Sequence, residues 1–108
     1  MGMNAEVIAI GTFHRSLIPY LQYPKDYYVN TRDGVRIAEN VFFVESGSSE
    51  SRQLAGAFGV DPWDFNQHEL DPARADLELL REMFGNEMVR SFEGLRDAGF
   101  SFFFLPNG

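Results

Sequence analysis

The sequence predicts an α+β domain: a mixed or mostly antiparallel sheet of about four strands, with three or four helices packed mainly on one face. Three observations carry this reading. Strand-like segments come early, at residues 6–13 and 27–44. Helix-like segments then follow one another from Ser48 to about Ala98. A phenylalanine-rich strand, Phe100 to Leu105, comes last. Strands and helices segregated in this way indicate α+β rather than an alternating parallel fold. A length of 108 residues suits a single domain spanning 1–108.

The first element runs from Glu6 to Phe13. Val7, Ile8, Ala9 and Ile10 form an unbroken apolar run, which suits a strand covered on both faces. Residues 14–26 contain Pro19 and Pro24 and read as a packed loop anchored by Tyr20, Leu21 and Tyr23, with one helical turn around Ser16–Leu21. Tyr27 to Val44 reads as a β-hairpin turning at Asp33-Gly34, because a type I′ turn needs positive φ at both central residues. Glu39-Asn40 interrupts the second arm and marks a bulge or bend there.

After Gly47 a helix is expected with Ser48 or Ser49 as N-cap and Glu50 favoured by the helix dipole. Leu54, Ala55 and Phe58 form its inward stripe, Gly59 ends it, and Val60 folds back onto it. Asp61-Pro62 reads as a cap followed by proline at the first helical position, so a short helix through His68 is expected. Asp71-Pro72 repeats the device and opens a helix to Phe84, with Leu77, Leu80 and Phe84 inward and Arg74 paired with Glu78 on the wet face. Gly85-Asn86 separates it from a last helix ending near Ala98, with Val89, Phe92 and Leu95 inward, Gly94 weakening it and Gly99 closing it. In the final strand Phe100, Phe102 and Phe104 share one face, and Phe103 and Leu105 the other. Exposed at an edge, such a strand would pair with other chains, so it belongs inside the sheet, beside the first strand. Its second face also suits a homodimer interface. Pro106 is expected to stop it.

Charge is distributed unevenly. The net charge of −7 arises wholly after residue 40, where twelve acids face five bases. Between 45 and 71 six acids (Glu45, Glu50, Asp61, Asp64, Glu69, Asp71) face one base, Arg52. Such a surface repels phosphate backbones, which disfavours nucleic acid, and it attracts basic proteins or cations. The plainer role of such acidity is solubility. The absence of cysteine excludes disulfides and sulfur-ligated zinc and agrees with a reducing cytoplasm, the expected location. No apolar run reaches membrane-spanning length, and no basic patch precedes an apolar stretch at the N-terminus, so neither membrane insertion nor a signal peptide is expected.

The stretch Asp61 to Asp71 holds the one tryptophan, one of two histidines and four of the sixteen acids. Three chemistries suit residues of these types. Asp61, Asp64, His68 and Asp71 are spaced three, four and three apart, which on a continuous helix would line up donors for a divalent metal. Against this, Asp61 and Asp71 precede proline and act as caps, and Asp71-Pro72 interrupts a helix. Acid–base catalysis would need His14 or His68, but no nucleophile elbow or phosphate-cradling glycine loop accompanies either. A protein-binding surface needs an aromatic anchor ringed by charge, which Trp63 and Phe65 beside Asp61, Asp64 and Glu69 supply. Trp63 has two placements open to it, sealing the core beneath the helix junction or standing at the surface.

The expected function is therefore a non-catalytic, cytoplasmic protein-binding domain that meets a basic protein partner through Glu50, Asp61, Trp63, Asp64, His68 and Glu69. No catalytic, cofactor-binding or metal-ligating residue is assigned, and no cofactor is expected. The alternative is a small metal-dependent enzyme or metal-binding domain using Asp64 and His68. In type, the profile is similar to that of bacterial immunity proteins that neutralise toxins: small, cysteine-free, acidic and α+β. That likeness rests on no motif, and it implies a basic toxin domain as the partner.

Overall fold

The computed structural model describes residues 4–11, 40–64 and 66–107. The expected hairpin turn at Asp33-Gly34, the loop at 14–26, His14 and Phe65 lie outside these residues. Among the described residues the order is β1 (Asn4–Ile10), β2 (Asn40–Ser46), α1 (Ser48–Ala57), β3 (His68–Leu70), a 3-10 turn (Pro72–Arg74), α2 (Leu77–Phe84), α3 (Asn86–Asp97) and β4 (Ser101–Asn107). The sheet order is β2-β1-β4-β3, and every adjacent pair is antiparallel. This is the α+β class that the sequence predicts. No helix among the described residues is long and apolar enough to cross a membrane.

β1 and β4 form the centre of the sheet, as the apolar run at Val7–Ile10 and the phenylalanines of β4 require. Val7, Ile8, Ala9 and Ile10 are all fully buried, so both faces of β1 are covered. The same holds for β4, where Phe102 and Phe104 on one face and Phe103 and Leu105 on the other are buried. Phe103 and Leu105 are thus covered within the one chain. Val7, Ala9, Phe102 and Phe104 share a core with Leu54, Ala55 and Phe58 of the α1 region, Leu80 of α2, and Val89 and Phe92 of α3. Leu77, Phe84 and Leu95 pack against it, so the inward stripes read from the sequence face the core.

Phe43 occupies the middle of this core. Its ring centre lies 5.9 Å from that of Phe58, 4.9 Å from Phe84 and 5.6 Å from Phe92, all tilted. Phe92 continues the stack to Phe102 at 4.7 Å. Such tilted pairs add to the gain from area burial alone. Phe43 reaches this position through a bulge. Ala5 pairs with Glu45 and Val7 with Phe42, so two residues of β2, Phe43 and Val44, face the single residue Glu6 of β1. Phe43 takes φ 52°, alone among the described non-glycine residues in the left-handed region, and Val44 is left 57% exposed. The bulge in the described part of β2 therefore falls at Phe43, and not at the beginning of the strand.

The C-terminal ends of α1 and α3 follow the sequence closely. At α1, Gly59 N–H donates to Gly56 O and Val60 N–H to Ala55 O, and Gly59 has φ 73°. At α3, Gly99 N–H donates to Arg96 O and Phe100 N–H to Leu95 O. Both are Schellman closures, with Val60 and Phe100 folded back against the core.

Five expectations are corrected. α1 begins one residue earlier than a serine cap would place it: Gly47 is the N-cap, without a side-chain cap. No helix spans Pro62 to His68; a turn at 61–64 leads instead into edge strand β3. The helix expected from Pro72 to Phe84 is divided into a 3-10 turn and α2, because Asp76 N–H donates to Ala57 O at 2.7 Å while its carboxylate caps Leu79 N–H at 3.1 Å. Arg74, displaced onto the 3-10 turn, makes no ion pair with Glu78 and lies against Gly59 instead. Pro106 does not stop β4: it pairs with Ala5, beyond Phe104, the last β4 residue that β3 pairs, where a missing N–H is tolerated.

Candidate functional site

The segment between α1 and β3 is shaped by aspartates that bind their own backbone. Asp61 Oδ1 accepts the N–H of Trp63 at 3.0 Å, and Asp64 N–H donates to Asp61 O at 3.1 Å. Asp64 Oδ1 accepts both the backbone N–H of Asn66, at 3.0 Å, and its side-chain amide, at 2.7 Å. These are Asx turns, which compete directly with helix formation. Asp71 Oδ1 likewise accepts Ala73 N–H at 3.0 Å, capping the 3-10 turn as its position before Pro72 suggests.

These two consecutive turns leave Trp63 at the surface. Its side chain is 68% exposed, which settles its placement. The guanidinium of Arg52, on α1, lies 4.7 Å from the centre of the ring. This contact ties the turn to α1. A second contact ties it to the sheet: Asp64 Oδ2 stands 3.0 Å from His68 Nε2, the first residue of β3. The distance is that of a hydrogen bond, but the alignment is poor and Nε2, shielded from water, has no well-directed partner. The contact is better described as an ion pair that forms when the ring is protonated. The backbone N–H of Asn66, its side-chain amide and then His68 hold the Asp64 carboxyl below its ordinary value.

Behind the turn lies a cleft of about 310 Å³ lined by Phe58, Gly59, Val60, Asp61, His68, Glu69, Leu70, Asp71 and Arg74. Of the six residues singled out from the sequence, Asp61, His68 and Glu69 line this cleft, and Asp61, Trp63 and Asp64 lie on the turn that borders it, with His68 facing Asp64 from β3. Glu50 is exposed in the first turn of α1. It lies at the far end of that helix from the cleft, about 12 Å along the axis from Phe58 at the usual rise per residue. Sequence reasoning missed two residues, Arg52 and Arg74. For Arg52 the signal was present, since it is the one base between 45 and 71.

Asp64 and His68 are brought together as the metal alternative requires. Among the described residues, however, no group of three or more His, Cys, Asp or Glu side chains could hold a metal ion. The arrangement supplies an exposed aromatic ring, accessible carboxylates and a shallow cleft, which suit contact with another molecule's surface. Comparison with protein-family models, curated proteins and solved structures returned no match.

Proposed function

We propose that this chain is a non-catalytic protein-binding domain that holds a basic protein partner through the acidic surface between 45 and 71. One observation carries the reading: the single tryptophan is 68% exposed on a turn flanked by Asp61 and Asp64, with Glu69 and Asp71 exposed nearby along the chain. An exposed indole ringed by carboxylates is a recurring composition for an energetic hot spot. The carboxylates would accelerate encounter with a basic surface, and burial of the indole would slow release. A basic toxin domain neutralised in the cytoplasm is the partner class that fits this profile.

The test is recovery of a partner by the purified protein at low and at physiological salt. The expected partner is strongly basic, its capture weakens with salt, and it is lost when Glu50, Asp64 and Glu69 are replaced together by lysine. Unchanged capture and salt dependence in that triple variant would overturn the reading. The contact between Asp64 and His68 favours a second reading, a metal-binding domain using these two side chains.

A further inference from the structure

We propose that the indole of Trp63 is a cation-accepting platform whose face away from Arg52 grips an arginine or lysine side chain of the partner. The inference rests on the reading of this segment as a partner-binding surface and adds the chemistry of the group it takes. Arg52 places its guanidinium carbon 4.7 Å from the ring centre, within the range where a cation is drawn to an aromatic quadrupole. The chain thus already uses this ring to hold a cation. A single guanidinium covers a single face, and Trp63 as a whole remains 68% exposed, so most of its surface is still open to solvent.

The surroundings select for charge. Asp61 closes its turn on the Trp63 amide, and Asp64 follows directly, so carboxylates border the indole on both sides along the chain. A cation arriving there is attracted by the ring and by these charges together. An apolar side chain gains only contact area, and an anion is repelled. Arg52 is the one base among six acids between 45 and 71 of the sequence, so this segment carries a net negative charge. A guanidinium is favoured over an ammonium, because it is planar and more weakly hydrated and can stack on the ring.

The probe is a hexa-arginine peptide, with a hexa-citrulline peptide as its uncharged, near-isosteric control. Trp63 is the sole tryptophan, so its fluorescence and its indole N–H chemical shift report this site. Hexa-arginine is expected to perturb both signals saturably at low salt, and hexa-citrulline to perturb neither. Because the ring is exposed, Trp63→Leu should keep the fold, which circular dichroism checks. Calorimetry should show hexa-arginine binding to that variant weakened roughly two- to thirtyfold, the usual range for one cation–π contact from exposed to desolvated. If Trp63→Leu binds as tightly as the wild type while lysine at Glu50, Asp64 and Glu69 abolishes binding, the platform fails and the acidic surface stands. If Trp63→Leu weakens binding and the triple reversal does not, the platform stands and the acidic-surface reading fails. Equal perturbation by the citrulline peptide also overturns the platform, since charge would then play no part.

Discussion

Asp64 Oδ2 lies 3.0 Å from His68 Nε2, and this contact joins the turn that carries Trp63 to the edge strand of the sheet. The same carboxylate holds two donors of Asn66, so one side chain organises the loop at both ends. The hold of this loop on Asn66 and His68 therefore depends on the charge of Asp64.

That dependence has a definite sign. The Asn66 amides, with His68 in support, hold the Asp64 carboxyl below its ordinary value of 3.8. A carboxyl whose folded value is depressed stabilises the fold above its unfolded value and loses that contribution as pH falls through the folded one. Asp64→Asn is expected to reduce stability at pH 7 and to match the wild type once both are acidified below the carboxylate range. Urea unfolding at the two pH values measures this. A difference that persists unchanged in acid would contradict it.

Phe43 tests the core. It is fully buried, touches three other rings and adopts φ 52° at the bulge of β2. Phe43→Ala is expected to cost about 3–5 kcal/mol of unfolding free energy, the usual range for deleting a buried phenylalanine. Denaturant unfolding gives the number. A loss below about 1 kcal/mol, the level of an ordinary substitution, would mean the ring is not central.

Two glycines should respond oppositely to alanine. Gly59 has φ 73°, and a methyl group there would come within 3.2 Å of Arg74 Nη2, so Gly59→Ala is expected to destabilise by about 1 kcal/mol or more. Gly94 lies inside α3 with nothing within 4 Å of an added methyl, so Gly94→Ala is expected to stabilise by about 0.5–1 kcal/mol. Thermal melting of both variants checks the signs together.

Metal addition separates the two readings of Asp64 and His68. Asp64 and His68 have no third ligand among the described residues. Addition of zinc or manganese is expected to leave the melting temperature unchanged, since only a ligand bound by the folded state raises it. A saturable rise with stoichiometric metal would favour the metal-binding alternative.

The sheet centre and the helix closures were legible because their signals are local and unopposed. Four apolar residues in a row at Val7–Ile10 leave a strand no wet face, and Gly59 and Gly99 sit where left-handed closures need glycine. The stretch from Asp61 to Leu70 was misread because two valid signals competed. Asp61-Pro62 fits a helix start, but Asp61 and Asp64 each capture an amide two residues ahead, and β4 recruits His68–Leu70 as a partner. Tertiary pairing of this kind leaves no trace in a short window of sequence. The break at Asp76 was hidden for the same reason, since its N–H is claimed by Ala57, nineteen positions earlier. At the candidate site, the acidic residues and the tryptophan could be listed from the sequence. The exposure of the ring and its contact with Arg52 could not, because both depend on how α1 lies beside the turn.

The central claim is that Trp63 stands in solvent within a negative field, and quenching of its fluorescence tests this most directly. Neutral acrylamide should reach the ring readily, and, each relative to its quenching of a free tryptophan amide, cationic caesium should be enhanced over anionic iodide, with the difference shrinking as salt screens the carboxylates. Blue-shifted emission that none of the three quenches, or iodide quenching relative to the free amide at least as strong as that by caesium, would contradict the account.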